Sequence, residues 1–149
     1  MAASDPFDLD RFVRAQDGGA FDGAVGELRR GRKSSHWMWF VFPQVAGLGR
    51  SAMAERYAIR SLDEARAYLA HPVLGPRLLQ CAALAADAPE GRSAESVFGG
   101  IDAVKLRSSA TLFLRASDPP EPAFQRVLDR FFDGVPDAAT DRLLGSGNG

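Results

Sequence analysis

Two tryptophans, a histidine, a lysine and a glutamine fall within one short stretch, Lys33-Ser34-Ser35-His36-Trp37-Met38-Trp39-Phe40-Val41-Phe42-Pro43-Gln44. Lys33, His36, Trp37, Trp39 and Gln44 are of the types that stack on a planar ring and hydrogen-bond its edge, so the stretch is a candidate wall for a ring-bearing ligand. The plainer alternative is a core segment, because large aromatic side chains dominate core energetics wherever they are buried.

The run leads into Gly47-Leu48-Gly49-Arg50-Ser51. Ahead of a predicted helix, the backbone N–H groups of Gly47 and Gly49 and the Ser51 hydroxyl could hold a phosphate, with Arg50 as a bidentate partner. The spacing falls short of G-x-G-x-x-G and no strand clearly precedes it, so neither a dinucleotide fold nor a P-loop is implied. An ordinary turn with a serine N-cap accounts for the same residues.

A third constellation is Asp102-x-x-Lys105-x-x-x-Ser109, whose i, i+3, i+7 spacing puts three polar side chains on one helical stripe. The chain has sixteen arginines and only two lysines, Lys33 and Lys105. A lysine among so many arginines marks a place where a compact or nucleophilic amine is useful, since arginine does neither job. Lys105, with Asp102 or Glu55 moving protons, is therefore the candidate catalytic group; a plain i, i+3 ion pair between Asp102 and Lys105 is the alternative. With two histidines and one cysteine, and no close spacing among them, no metal site is expected, and no cofactor is implied.

These residues must be positioned by helices. Asp5-Pro6 reads as an N-cap and first turn ahead of Leu9, Phe12, Val13 and Gln16. Phe21, Ala24, Val25 and Leu28 repeat the helical period and Gly31 closes it. Further helical patterns follow over 51–59, over 61–71 behind the Ser61-x-x-Glu64 capping pattern, and over 74–85, where Cys81 falls on the apolar stripe. The 101–116 segment is apolar on most sides, with Ile101, Val104, Ser108 and Leu112 along one of them, which suits a buried central helix. Phe124, Val127, Leu128 and Phe131 define another helix, followed by a short segment around Leu143. The expected architecture is all-α: a compact multihelical single domain of about seven to eight helices over 5–144, with flexible tails at 1–4 and 145–149.

Composition agrees with this. The 149 residues carry 18 Lys+Arg against 19 Asp+Glu and are 46% apolar, and a domain of this length buries roughly 68–70% of its unfolded surface without needing disulfides. A net charge of −1 with no Lys/Arg-rich run argues against non-specific nucleic-acid binding. The longest mostly apolar stretch, 78–88, is too short to span a bilayer, and the N-terminus has no signal-peptide pattern, so a cytoplasmic protein is expected.

The 33–44 run, the following Gly-Leu-Gly-Arg-Ser, and Phe98-Gly99-x3-Ala103-x-Lys105-Leu106-Arg107-Ser108-Ser109-Ala110-Thr111-Leu112-Phe113 together resemble a bacterial family known as domain of unknown function 1810. The resemblance spans residue 7 to about 144 and implies a small helical cytosolic domain without an assigned activity. A label of calpastatin attached to some members does not suit a compact chain. A shorter similarity, over 102–113, is to the NADAR N-glycosidases, and implies action on N-ribosyl or ADP-ribosyl compounds. Two readings stay open: a pocket for a nucleotide-like or ribosylated small molecule, with possible N-glycosidic hydrolysis, or a non-catalytic helical module that docks a protein partner of unknown kind or senses a ligand.

Overall fold

The computed structural model describes residues 5–147. Ten helices follow one another: α1 (Asp10–Gln16), α2 (Ala20–Arg30), α3 (Met38–Val41), α4 (Ala52–Arg56), α5 (Leu62–Ala70), α6 (Leu74–Ala86), α7 (Ala94–Phe98), α8 (Gly100–Ala116), α9 (Pro122–Phe131) and α10 (Ala138–Gly147). Among the described residues there is no strand, only one isolated parallel bridge between Val45 and Ile59. No described helix is long and apolar enough to cross a membrane.

Local chemistry explains most of the boundaries. The Asp5 carboxylate accepts from the N–H groups of Leu9 (2.8 Å) and Asp10 (3.0 Å), and the Asp10 bond in particular holds its carboxyl below the usual range. Helix α1 accordingly starts at Asp10 and not at Pro6, after a turn in which Asp8 takes φ 51°. Gly31, at φ 73°, ends α2 by donating to the Glu27 and Leu28 carbonyls, the left-handed closure that glycine adopts without a Cβ penalty. Ser61 caps α5 by accepting from the Glu64 N–H, 3.0 Å.

Two helices exceed the sequence expectation. Helix α7 is opened by Ser93 and Ser96, which exchange side-chain and backbone hydrogen bonds in a capping box, with serine where the usual pattern has Glu or Gln. Helix α3 is a single turn inside the aromatic run. Helix α10 continues to Gly147, through the first part of the segment expected to be a tail; residues 1–4, 148 and 149 lie outside the described residues.

Helix α8 is the central element, packed on α5, α7, α9 and α10, while α6 packs on α2, α5 and α9. Its Leu106, Leu112 and Phe113 are fully buried, and Phe113 stacks between Tyr68 and Phe124 with ring centroids 5.2 and 5.9 Å away. Burial does not extend to its first turn: Ile101 and Val104, expected on an inward stripe with Leu112, are 78% and 61% exposed. The helix leaves the core there, because no other element covers that face. Close approach matters most where α6 begins against α5, since a Cβ on Gly75 would lie 2.1 Å from the Leu69 carbonyl oxygen.

Polar groups inside the core are paired, as burial requires, with the Ser109 hydroxyl as an exception. Arg11 meets the Glu64 carboxylate at 2.8 Å and also donates to the carbonyls of Phe7, Asp8, Arg56 and Ala58. The Gln16 amide donates to the Phe40 carbonyl and the Tyr68 hydroxyl. Cys81 is wholly buried, and burial pushes its thiol up to about 12.

Candidate functional site

The 33–39 segment reaches its position through two anchors. The Lys33 N–H donates to the Val97 carbonyl at 2.7 Å, tying the segment to the end of α7. The second anchor is Glu27 on α2, which accepts from the N–H groups of Ser34 (2.6 Å) and Ser35 (2.9 Å) and from the Trp37 indole (3.0 Å). Burial works to raise this carboxyl, but the three donors outweigh it and bring it to about 2, so Glu27 is a fixed anion at neutral pH.

Between this segment and the start of α8 lies a cavity of about 350 Å³, lined among others by Lys33, His36, Trp39, Gly99, Asp102 and Lys105. Both lysines of the chain converge on one carboxylate: Lys33 Nζ is 2.8 Å from Asp102 Oδ2, and Lys105 Nζ is 3.4 Å from Oδ1. Each ammonium also faces an indole, Lys33 over Trp37 at 5.1 Å and Lys105 over Trp39 at 4.8 Å. The cluster is largely shielded from solvent, with side-chain exposures of 9% for Lys33, 18% for Asp102 and 19% for Lys105. Two cations against one anion leave one positive charge in excess, in a place where water screens it poorly. Gly99 starts α8 at φ 85° without a side-chain cap, and a Cβ there would meet nothing within 4 Å. The missing side chain keeps the cavity open beside the positive end of the helix.

Chemically, this arrangement can neutralise an oxyanion, present a ring face and hold an amine beside a carboxylate. Asp102 and Lys105 form the i, i+3 ion pair their spacing allows, but the pair is extended to Lys33, 69 positions away from Asp102 in the chain.

The other sequence candidates lie elsewhere. Gln44, Gly47, Gly49, Arg50 and Glu55 line a second cavity of about 390 Å³, so Gln44, Glu55 and the glycine turn do not share the pocket that holds Lys33, His36, Trp39 and Lys105. The Ser51 hydroxyl is engaged as the N-cap of α4, accepting from the Ala54 N–H at 3.1 Å. Trp37 is 2% exposed and packs against Phe42 and Phe98; it belongs to the core and offers no face to a ligand in the cavity. Ser109 is fully buried with no hydrogen-bond partner for its hydroxyl: three turns into a straight helix, its stripe has passed from the cavity into the core. Tyr57, beside Glu55, packs on Phe12 and Phe40.

Glu27, Gly99 and Gly100 escape the sequence reading. The sequence signal for Glu27 is an acidic residue adjoining the buried Ala24, Val25 and Leu28 stripe of α2. For the glycines it is a Gly-Gly pair opening the longest described helix.

A family profile described as protein of unknown function (DUF1810) matches residues 6–144. The chain belongs to this family. The matched span includes every residue of the α8 cavity and both of its lysines. A conserved hypothetical protein, Rv1873 from Mycobacterium tuberculosis, has a crystal structure that is similar to this one with a TM-score of 0.90 and 52% sequence identity, covering 95% of this chain and 99% of that one. No curated protein matches the chain. The all-α fold is thus shared with that conserved hypothetical protein.

Proposed function

We propose that the cavity at the start of α8 binds a small anionic ligand of the nucleotide-like, ADP-ribosyl or N-ribosyl class, and that Lys105 acts on its N-glycosidic bond. The observation that carries this reading is the convergence of Lys33 and Lys105 on Asp102 beside the half-buried face of Trp39. The surplus positive charge suits a phosphate, Trp39 suits a ring, and His36 at the rim supplies a hydrogen-bonding edge.

In the reaction, the Lys105 ammonium gives up one proton to Asp102 and its freed Nζ lone pair attacks the anomeric carbon, forming an N–C bond as the glycosidic C–N bond breaks. Asp102 passes that proton on to the departing nitrogen; water then cleaves the lysine adduct and restores the amine.

The test is a thermal-shift screen against ADP-ribose, NAD, nucleotides and riboflavin precursors. A ligand that binds only the folded state at 100 times its Kd stabilises it by about 2.7 kcal/mol. The expected result is a shift with at least one of these that Trp39→Ala abolishes, followed by base release that Lys105→Ala and Lys105→Arg both lose. Retained turnover in either Lys105 variant removes the covalent role.

A second reading, a non-catalytic interaction module, is favoured by one observation, the exposure of Ile101, which lines the cavity, and of Val104 one turn further along α8. It predicts no shift across the panel, and a protein partner whose binding Val104→Glu abolishes.

A further inference from the structure

We propose that the second cavity, enclosed by the 44–60 region, is a separate binding site for a small molecule bearing a phosphate or carboxylate, held between Arg50 and Arg60. Both arginines line the cavity. Several other guanidinium groups are tied to the protein's own acceptors: Arg11 to Glu64, Arg77 to Asp17, Arg115 to Asp141 and Arg126 to Asp87. The side chains of Arg50 and Arg60 hydrogen-bond to no acceptor among the described residues, and neither does the amide of Gln44 in the same wall. Planar guanidinium forks match oxyanions bidentately, and two of them aimed into one concavity, with Gln44 as a further donor, form a recognition set that the protein itself leaves unused.

The cavity is built in advance of any ligand. Ile59 N–H donates to the Gln44 carbonyl and Ala46 N–H to the Ile59 carbonyl, both at 2.8 Å, so the chain before the loop is fastened to the chain after α4. Gly49 is pressed so close that a Cβ would sit 2.5 Å from that of Ala54. The loop backbone needs little further ordering, so the entropic cost of binding falls mainly on the two arginine side chains. Two arginines against Glu55 leave the cavity one charge positive; the neighbouring concavity that Arg60 shares with Asp8, Arg11, Arg14 and Arg56 adds little to this, since Arg11 is paired with Glu64 and Arg14 with Asp10. The Ser51 hydroxyl, already engaged as a cap, takes no part. This site stands independently of the one at α8.

The experiment is a pair of ¹H–¹⁵N titrations of the whole chain, one with inorganic phosphate and one with succinate, each at ionic strength held constant with sodium chloride. The expected result is saturable movement of the Gly47 and Gly49 amides and the Arg50 and Arg60 Nε–H signals. Affinity read from these signals falls at least tenfold in Arg50→Gln and in Arg60→Gln and is unchanged in Arg29→Gln, an exposed arginine that lines neither cavity. Saturation by phosphate alone, by succinate alone or by both identifies the oxyanion and supports the site in each case. The proposal is overturned if neither anion moves these signals beyond the chloride control, or if both arginine variants titrate like the parent. Both side chains are exposed, so the variant spectra overlay the parent's outside the cavity; should one variant fail to fold, the other decides.

Discussion

Lys33 and Lys105, the chain's two lysines, grip opposite oxygens of the same carboxylate from segments that are remote in sequence, Lys33 from the loop after α2 and Lys105 from the second turn of α8. Asp102 therefore neutralises two partly buried ammonium groups at once. Replacing it with asparagine leaves both without a counter-charge where water only partly compensates. Asp102→Asn is expected to lose about 1–3 kcal/mol of stability in urea denaturation at pH 7, yet to bind inorganic phosphate several-fold more tightly, because the carboxylate no longer competes for the lysines. Weaker phosphate binding in the variant would mean that the lysines do not form the anion site.

The two indoles of the aromatic run report on different environments. Trp37 is sealed in the core with its N–H on Glu27, whereas Trp39 lines the cavity under Lys105. Ligand entering that cavity is expected to quench about half of the emission in the parent and most of it in Trp37→Phe, and to leave emission unchanged in Trp39→Phe. Quenching that survives the loss of Trp39 would locate the ligand elsewhere.

Glu27 makes a pH prediction whose sign follows from its depressed carboxyl. The folded group titrates at about 2 and the unfolded one near 4.3, so its contribution is complete above the unfolded value and disappears as pH falls from about 4.5 toward 2. At 1.36 kcal/mol per pK unit this amounts to about 3 kcal/mol. In denaturation profiles from pH 7 to 2.5, Glu27→Gln is expected to start lower and to flatten over that window. A variant profile parallel to the parent's would show that another acid carries the acid sensitivity.

Glycine substitutions separate close packing from backbone entropy. Gly75→Ala drives a methyl into the Leu69 carbonyl and is expected to cost more than about 3 kcal/mol or to prevent folding, as overpacking against unyielding backbone does. Gly23→Ala, at an exposed position of α2 with open space around it, is expected to stabilise by about 0.5–1 kcal/mol. Equal melting temperatures for the two variants would contradict this packing of α5 on α6.

The helical architecture is legible in the sequence wherever a local signal marks an end. Gly31 and Ser61 act at the positions their types suggest, whereas Asp5, which reads as the N-cap of α1, lies ahead of the turn that precedes the helix. Helix α7 escapes because its capping box uses Ser96 in the place of Glu or Gln. The aromatic run divides in a way that composition does not reveal: one turn of helix sends Met38, Phe40 and Val41 inward and leaves Trp39 at the cavity. Candidate site residues separate for the same reason. Lys105 is conspicuous as a rare residue and Asp102 by its spacing, but their meeting with Lys33 depends on how α2, α7 and α8 pack. Gln44 and Arg50, close to the aromatic run in sequence, turn away to the second cavity once the bridge between Val45 and Ile59 forms.

The sealed position of Cys81 gives the molecule a built-in stopwatch. A thiol with no exposed surface and a titration point near 12 reacts with an alkylating reagent only when α6 swings away from α2, α5 and α9. The labelling rate of this one sulfur, followed by mass spectrometry, therefore counts openings of the whole interior, and a ligand in either cavity that holds the helices together slows it in proportion to its occupancy.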